Sequence, residues 1–297
     1  MKVLLLGTKG QLGKSLFNLF KKKNIIFSYY DKSLKKNYVN YNTTNIKKII
    51  FTEKPNLVVN AIAFTNVDQA QIKKKICYKV NVIAVKKIAL ACKKINAKLI
   101  HFSTDYVYGE HKNFFINESN KKKPTNYYSR TKLISENVIK KIKCNYIIFR
   151  IAWVYNINRD NNFIKKIINK ILIKKDFTVV NDQFGHPTST DFISDFISTN
   201  LFKIYKSLNK KTYNLCPSGY ASRYYIANFI LNYMIRNNLI IKKDIKIIEL
   251  KTKKLNKLPR QLNSVLSNLK IKKDFKVNFY DWKFYLKKTL NKYYATE

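Results

Sequence analysis

The sequence predicts an α/β protein: a doubly wound parallel sheet with a smaller C-terminal α/β domain. Three observations carry this. Short β-rich runs alternate with helical stretches through the first 150 residues, a glycine cluster sits where the first run meets the first helix, and the alternation loosens after Arg150.

Taken in order, Val3–Gly7, Ile25–Tyr30, Leu57–Ala61, Lys98–Ser103 and Asn145–Arg150 read as strands, with helices between them. Helical periodicity is clear over Val80–Lys93 and Ser129–Lys141, each just before a strand. Right-handed crossovers then bring the ends of these strands to one edge of the sheet, where ligands bind. Beyond Arg150, helices are expected near Phe163–Ile173, Asp191–Leu208, Ser222–Ile235 and Trp282–Tyr293, with extended pieces near Phe177–Val180 and Tyr213–Leu215. The expected division is residues 1–150 as a dinucleotide-binding, Rossmann-type domain and 151–297 as a mainly substrate-binding domain, some of whose segments return to the first.

Only six glycines occur in 297 residues, and Gly7, Gly10 and Gly13 fall in GTKGQLG, directly after the apolar run Val3–Leu6. A tight strand-to-helix turn needs unusual backbone angles, and a Cβ would hold the backbone away from a phosphate. The helix from Gln11 to about Phe20 then aims its free N–H groups at an anion. The segment lacks the Lys-Ser/Thr ending of a nucleotide-triphosphate loop, so a dinucleotide is expected. Asp31, at the end of the second strand, stands roughly where a carboxylate accepts hydrogen bonds from an adenosine ribose. Lys32, Lys35 and Lys36 follow it and suit a 2′-phosphate, which leaves NADH and NADPH both open.

Hydrophobic residues make up 46% of the chain, ample for a core, and no apolar run approaches the length of a membrane span. Cys77, Cys92, Cys144 and Cys216 are scattered, without a CxxC pair or a histidine at ligand spacing. Buried free thiols in a reducing cytoplasm are therefore expected, with no membrane association. The formal net charge of +42 suggests a polyanion partner, but only six of the 59 basic residues are arginine and the lysine runs are spread along the chain. Together with abundant Ile, Asn, Tyr and Phe, this reads as AT-rich codon bias on solvated faces, with no specific nucleic-acid partner.

The chemistry concentrates at two places. Tyr128 and Lys132 lie four residues apart and project from one helical face. An ammonium beside a phenol pulls its pKa toward neutrality and makes it a proton donor to a carbonyl receiving hydride. The fourth strand ends in HFSTDYVY and delivers Ser103, Thr104 and Asp105 to the carboxyl edge, where a hydroxyl can bond both a substrate carbonyl and the tyrosine.

GTKGQLG, VVNAIAFTNVDQA, HFSTDYVYG, the Tyr128/Lys132 pair, FRIAWVY and NDQFGHPT occur in this order. The chain thereby resembles the dTDP-4-dehydrorhamnose reductase family of the extended short-chain dehydrogenase/reductase superfamily, from residue 1 to about 290. The resemblance implies reduction of the C4 keto group of a dTDP-4-keto-6-deoxy-L-sugar to dTDP-L-rhamnose, with NADPH or NADH as hydride donor. It implies that Tyr128 is the proton donor, Lys132 its pKa-lowering partner and a ligand of the nicotinamide ribose, and Thr104 the hydroxyl that polarises the ketone. Asp105, Trp153 and Arg260 would contact the sugar nucleotide, with Asn263 and Ser264 as further candidates at its diphosphate end. Gly7, Gly10, Gln11 and Leu12 would hold the pyrophosphate, Asp31 the adenosine ribose, and Ala61, Ala63, Phe64 and Thr65 the path beneath the cofactor. Asn40 stands where the family has an aspartate at the adenine, with Tyr41 beside it. The family's Arg-Arg-Pro-x-Asn-Ser-x-Leu becomes PRQLNSVL here, losing one arginine and the proline. Magnesium and a homodimer enter only through the resemblance, and no carboxylate cluster for the metal is visible. Two other readings share much of the pattern: a sugar-nucleotide epimerase or dehydratase, and a non-catalytic subunit like the β subunit of methionine adenosyltransferase. A dehydratase needs a glutamate after the strand-four acid, and Thr104-Asp105 is followed by Tyr106.

Overall fold

Six parallel strands form the central sheet of the computed structural model, which describes residues 1–32, 45–111, 113–159, 162–173, 175–207, 209–240, 245–254 and 260–295. They are β1 (Val3–Leu6), β2 (Phe27–Tyr30), β3 (Leu57–Asn60), β4 (Lys98–Thr104), β5 (Asn145–Ile151) and β6 (Lys211–Asn214), in the spatial order β6-β5-β4-β3-β1-β2. The order reverses beside β1, as a doubly wound sheet requires, and the predicted α/β class is borne out. β1, β3 and β4 are buried throughout; β1 reads as an unbroken apolar run, whereas β3 ends in buried Asn60 and β4 buries Lys98, His101, Ser103 and Thr104.

Residue contacts divide the chain into two units. The first comprises Met1–Gly109, Glu118–Ile151 and Ile193–Leu215; the second comprises Glu110–Asn117, Ala152–Phe192 and Cys216–Glu297. In the first unit, Leu4, Leu6, Val58, Leu99 and Ile148 turn one sheet face toward Ile46, Ile49 and Ile50 of helix Asn45–Glu53 and Ala84, Val85 and Ile88 near the start of helix Ala84–Lys94. The expected helix over Val80–Lys93 is two stretches, a π-helical turn at Lys79–Ile83 and the α-helix that follows it. The extended piece expected near Tyr213–Leu215 is β6, which pairs in parallel with β5 from Lys211↔Ile147 to Asn214↔Arg150. Sequence alone left this strand unplaced because its partner lies about sixty residues away. Buried Lys98 helps to hold the preceding helix, donating from Nζ to the carbonyls of Ile204 (2.8 Å) and Tyr205 (2.7 Å).

The second unit packs helices Phe163–Leu172, Arg223–Arg236 and Trp282–Tyr294 around Ile164, Ile167, Ile168, Ile226, Ile230, Trp282 and Leu286. Its sheets are small: Ile247–Leu250 runs parallel to Phe177–Val180, and Phe184–Gly185 lies between Ala221–Ser222 and Asn263–Ser264. Among the described residues no helix is long and apolar enough to cross a membrane, and all four cysteines are free and buried.

Candidate active site

The glycine loop joins β1 to helix Gln11–Lys22, which Gly10 caps without a side chain of its own. The three glycines are there for different reasons. Gly7 has φ +90°, and a Cβ on it would lie 2.9 Å from the Ala61 carbonyl carbon. A Cβ on Gly13 would fall 1.9 Å from the Gly7 oxygen, so helix and loop touch through it. Gly10 is exposed, with φ −70°, and a Cβ there would meet nothing closer than the Gly7 oxygen at 3.4 Å. Of the three, Gly10 alone is not required by the protein's own packing. Asp31 is buried, and its Oδ2 accepts the Lys9 N–H at 3.0 Å, tying the end of β2 to the loop. Ala61, Ala63, Phe64 and Thr65 follow β3, with Ala63 and Thr65 exposed. Asn40 and Tyr41 lie outside the described residues.

Helix Tyr127–Ile142 opens with a reciprocal capping box in which Asn126 Oδ1 accepts the Ser129 N–H (2.9 Å) and Ser129 Oγ accepts the Asn126 N–H (3.2 Å). That cap fixes the register placing Tyr128 and Lys132 on the buried face. Thr104 ends β4, and its hydroxyl donates to Asp105 Oδ1 at 2.8 Å. The Thr104 side chain lies near the Tyr128 phenol and acts on its ionisation. Tyr106 packs edge-on to the Tyr128 ring, with centroids 6.4 Å apart.

The lowering of Tyr128 expected from Lys132 is absent here. Burial pushes the phenol above its ordinary value, the nearby Thr104 side chain opposes this, and Asp105 adds to it. Lys132 instead donates to the Phe102 carbonyl at 2.7 Å and meets His101 Nε2 at 3.2 Å. Burial pulls the amine down to about 8, against the carboxylate of Glu136. The helix spacing put both groups on one face, but could not say which way a four-carbon chain turns.

In the second unit, Trp153 has φ +44°, a left-handed conformation that a bulky side chain rarely adopts. Gly185 packs flat against its indole: a Cβ there would lie 2.7 Å from Cε2. The Arg223 guanidinium lies 4.2 Å from the Trp153 ring centroid and 4.8 Å from that of Phe163, and Gln183 Oε1 accepts from Arg223 Nε at 2.7 Å. Trp153, Phe163 and Arg223 line a cavity with Asn162, Pro187 and Ile226. Arg260 is half-buried. Its neighbours are engaged locally: Asn263 Nδ2 donates to the carbonyls of Asn113 and Phe114, both at 3.0 Å, and Gln261, at the family's proline position, donates to Ser264 Oγ at 3.1 Å.

A sequence model of the RmlD substrate binding domain matches residues 1–295. The chain belongs to this family. Within it, the chain is 28% identical to dTDP-4-dehydrorhamnose reductase of Escherichia coli K12 over 100% of its own length and 99% of the relative's. The Shigella flexneri enzyme of the same name is 30% identical over 84% of this chain and 83% of that one. Among solved structures, a dTDP-4-dehydrorhamnose reductase from Clostridium acetobutylicum superposes with a TM-score of 0.84 at 30% identity, covering 98% of this chain and 99% of that one. One from Bacillus anthracis, solved with NADP, superposes at 0.86 over 100% and 99% at 24% identity, a likeness of fold. Membership of the family expected from the motifs is thereby borne out.

In this RmlD-family chain several buried residues escaped sequence reasoning. Asn81, in the π-helical turn, accepts the Phe64 N–H (2.8 Å), donates to the Phe64 carbonyl (3.1 Å) and reaches Thr131 Oγ1 (3.0 Å), linking the segment after β3 to the Tyr128 helix. A lone asparagine in the apolar run VNVIAV was the available signal. Glu136 and Arg150 form a bidentate pair at 2.9 and 2.6 Å, and Arg150 Nη1 also donates to Tyr108 Oη at 2.6 Å. Among the described residues no group of three or more His, Cys, Asp or Glu is placed to hold a metal ion.

Proposed function

We propose that this protein reduces the C4 ketone of dTDP-4-dehydrorhamnose to give dTDP-L-rhamnose, using NADPH or NADH. The observation that carries the reading is the convergence of Tyr128 with Thr104 at the carboxyl end of β4, with Lys132 one turn along on the same buried helix face. The loop at Gly10 fits a pyrophosphate, since backbone N–H groups open the helix there and no side chain covers them. When bound, the nicotinamide supplies the hydride.

The chain's own residues handle the proton. Tyr128, held protonated by burial, donates it to the ketone oxygen as charge develops there. Thr104 hands its own hydrogen to Asp105 and accepts the Tyr106 N–H; turning that hydroxyl to the ketone lets it polarise the carbonyl. Lys132 is assigned to the nicotinamide ribose and to stabilising the tyrosinate left behind. Asp31 is assigned to the adenosine ribose, Gln11 and Leu12 to the pyrophosphate, Ala61, Ala63, Phe64 and Thr65 to the floor under the cofactor, and Asp105, Trp153 and Arg260 to the sugar nucleotide.

The test is to mix purified protein with the 4-keto-L-sugar nucleotide and NADPH and follow absorbance of the reduced nicotinamide. One cofactor oxidised per sugar reduced is expected, and no oxidation with either NADPH or NADH overturns the reading.

A further inference from the structure

His101 sits on β4, three residues before Thr104, fully buried and outside the roles assigned above. Its surroundings fix its proton. Asn60 Oδ1 accepts the Ile62 N–H at 3.1 Å, so Asn60 must turn its NH2 group toward His101 Nδ1, 3.2 Å away. A proton on Nδ1 would set N–H against N–H, hence Nδ1 carries the lone pair and Nε2 the hydrogen. The doubly protonated ring is disfavoured by burial and by the Lys132 charge, both of which hold the imidazole well below its ordinary value.

That Nε2–H faces two groups: Ser135 Oγ at 3.3 Å and Lys132 Nζ at 3.2 Å. Ser135 gives its own hydrogen to the Lys132 carbonyl at 2.7 Å, leaving its oxygen to accept. Lys132 therefore meets a donor where a lone pair would have stabilised its ammonium, and its remaining anchor is the Phe102 carbonyl.

We propose that His101 is a positioning residue for Lys132, locked by Asn60 in the Nε2–H tautomer so that it holds the amine in place without accepting a hydrogen bond from it. The consequence is an amine, drawn down to about 8 by burial, that is not pinned to the imidazole when the ribose is offered. Its catalytic meaning rests on the reductase reading of Lys132. The other titratable groups facing the amine, Glu136 from its own helix and Cys77 from helix Lys74–Tyr78, both favour the ammonium.

The full-length protein, labelled with 15N, decides this without turnover. The chain has three histidines, so the ring nitrogens are separable in a long-range proton–nitrogen spectrum. The expected result is a protonated Nε2 and a bare Nδ1 at His101, both shifting in one step near pH 8 as Lys132 titrates, with that step absent in Lys132→Met. Asn60→Asp should move the ring proton to Nδ1 and raise the step by about one pH unit or more, because Nε2 then accepts from the ammonium. A proton on Nδ1 in the unaltered protein, or a step that stays in place once the tautomer has moved, overturns the proposal. If Asn60→Asp does not fold, the unaltered tautomer and the Lys132→Met comparison decide. A protein that oxidises no NADPH yet shows these ring signals separates failure of the reductase reading from failure of this one.

Discussion

Lys132 turns its amine to the Phe102 carbonyl, 2.7 Å away, and not to the phenol of Tyr128 one helical turn before it. The acid and the cation are thus held apart on one buried face, each shifted by desolvation: Tyr128 upward and Lys132 down to about 8. The ammonium is present below that value and lost as pH rises through it. If the charge is needed to carry the developing tyrosinate, kcat/KM for NADPH-dependent reduction is flat on the acid side of pH 8 and falls above it. A profile that stays flat to pH 10 removes the Lys132 charge from the rate-determining chemistry.

Tyr128→Phe keeps the ring that packs with Tyr106 and the neighbouring apolar side chains and removes only the hydroxyl. Turnover should drop by about 10²-fold or more while NADPH affinity changes by less than about threefold, because the lost group acts on a proton and not on cofactor binding. Single-turnover kinetics and fluorescence titration measure the two separately. Normal turnover would take Tyr128 out of the mechanism.

Glu136 and Arg150 are both buried, and their pairing joins the catalytic helix to β5. Burial would raise the carboxyl, but two hydrogen bonds and the charge of Arg150, helped by Lys140, hold it below its ordinary value. Stability from this group is present above the unfolded value of 4.5 and is lost as pH falls through the lower folded one. Glu136→Gln leaves a buried guanidinium without its counter-charge and should cost roughly 3–5 kcal/mol in denaturant unfolding at pH 7. The Glu136→Leu, Arg150→Met double variant should lose less than the sum of its single changes. A loss under about 1 kcal/mol for Glu136→Gln would show the pair to be solvent-accessible in solution.

Gly185 carries no Cβ because the Trp153 indole occupies that space, and Trp153 is held at φ +44°. Backbone strain of this kind costs about 1–3 kcal/mol and persists where surrounding packing imposes it. Gly185→Ala should displace the ring, raise KM for the sugar nucleotide by about tenfold and leave KM for NADPH within about twofold. Equal rises in both would mean a general loss of fold rather than a misplaced indole.

How much of this was legible in the sequence depends on the range of the interaction. The parallel strands, the Tyr128/Lys132 face and Thr104 at a strand end follow from local periodicity and spacing. The Glu136–Arg150 pair could not be read, because any of 17 acidic residues could have met any arginine until β5 and the helix were brought together. The direction of Lys132 depends on a carbonyl of β4 and a histidine 31 residues away. Trp153 was visible as one of two tryptophans, but its left-handed backbone belongs to a contact with Gly185 that no local pattern encodes.

The glycine loop separates the two kinds of requirement within one motif. Gly10 has backbone angles open to any residue, and a Cβ there would meet the Gly7 oxygen at 3.4 Å and the Ala61 oxygen at 4.0 Å. Gly10→Ala should change stability by less than about 1 kcal/mol, the usual size of an N-cap change, while the added methyl weakens NADPH binding by about tenfold or more. Gly13→Ala would ordinarily strengthen a helix by about 1 kcal/mol. Here its Cβ would stand 1.9 Å from the Gly7 oxygen and 2.7 Å from the Gly7 carbonyl carbon, neither of which can move without opening the loop. It should therefore lose about 3 kcal/mol or more on thermal or denaturant unfolding, together with cofactor binding. Isothermal titration with NADPH beside an unfolding curve distinguishes them: affinity lost at full stability for Gly10→Ala, and both lost for Gly13→Ala. A Gly10→Ala protein that binds NADPH normally would place the pyrophosphate somewhere other than this helix start.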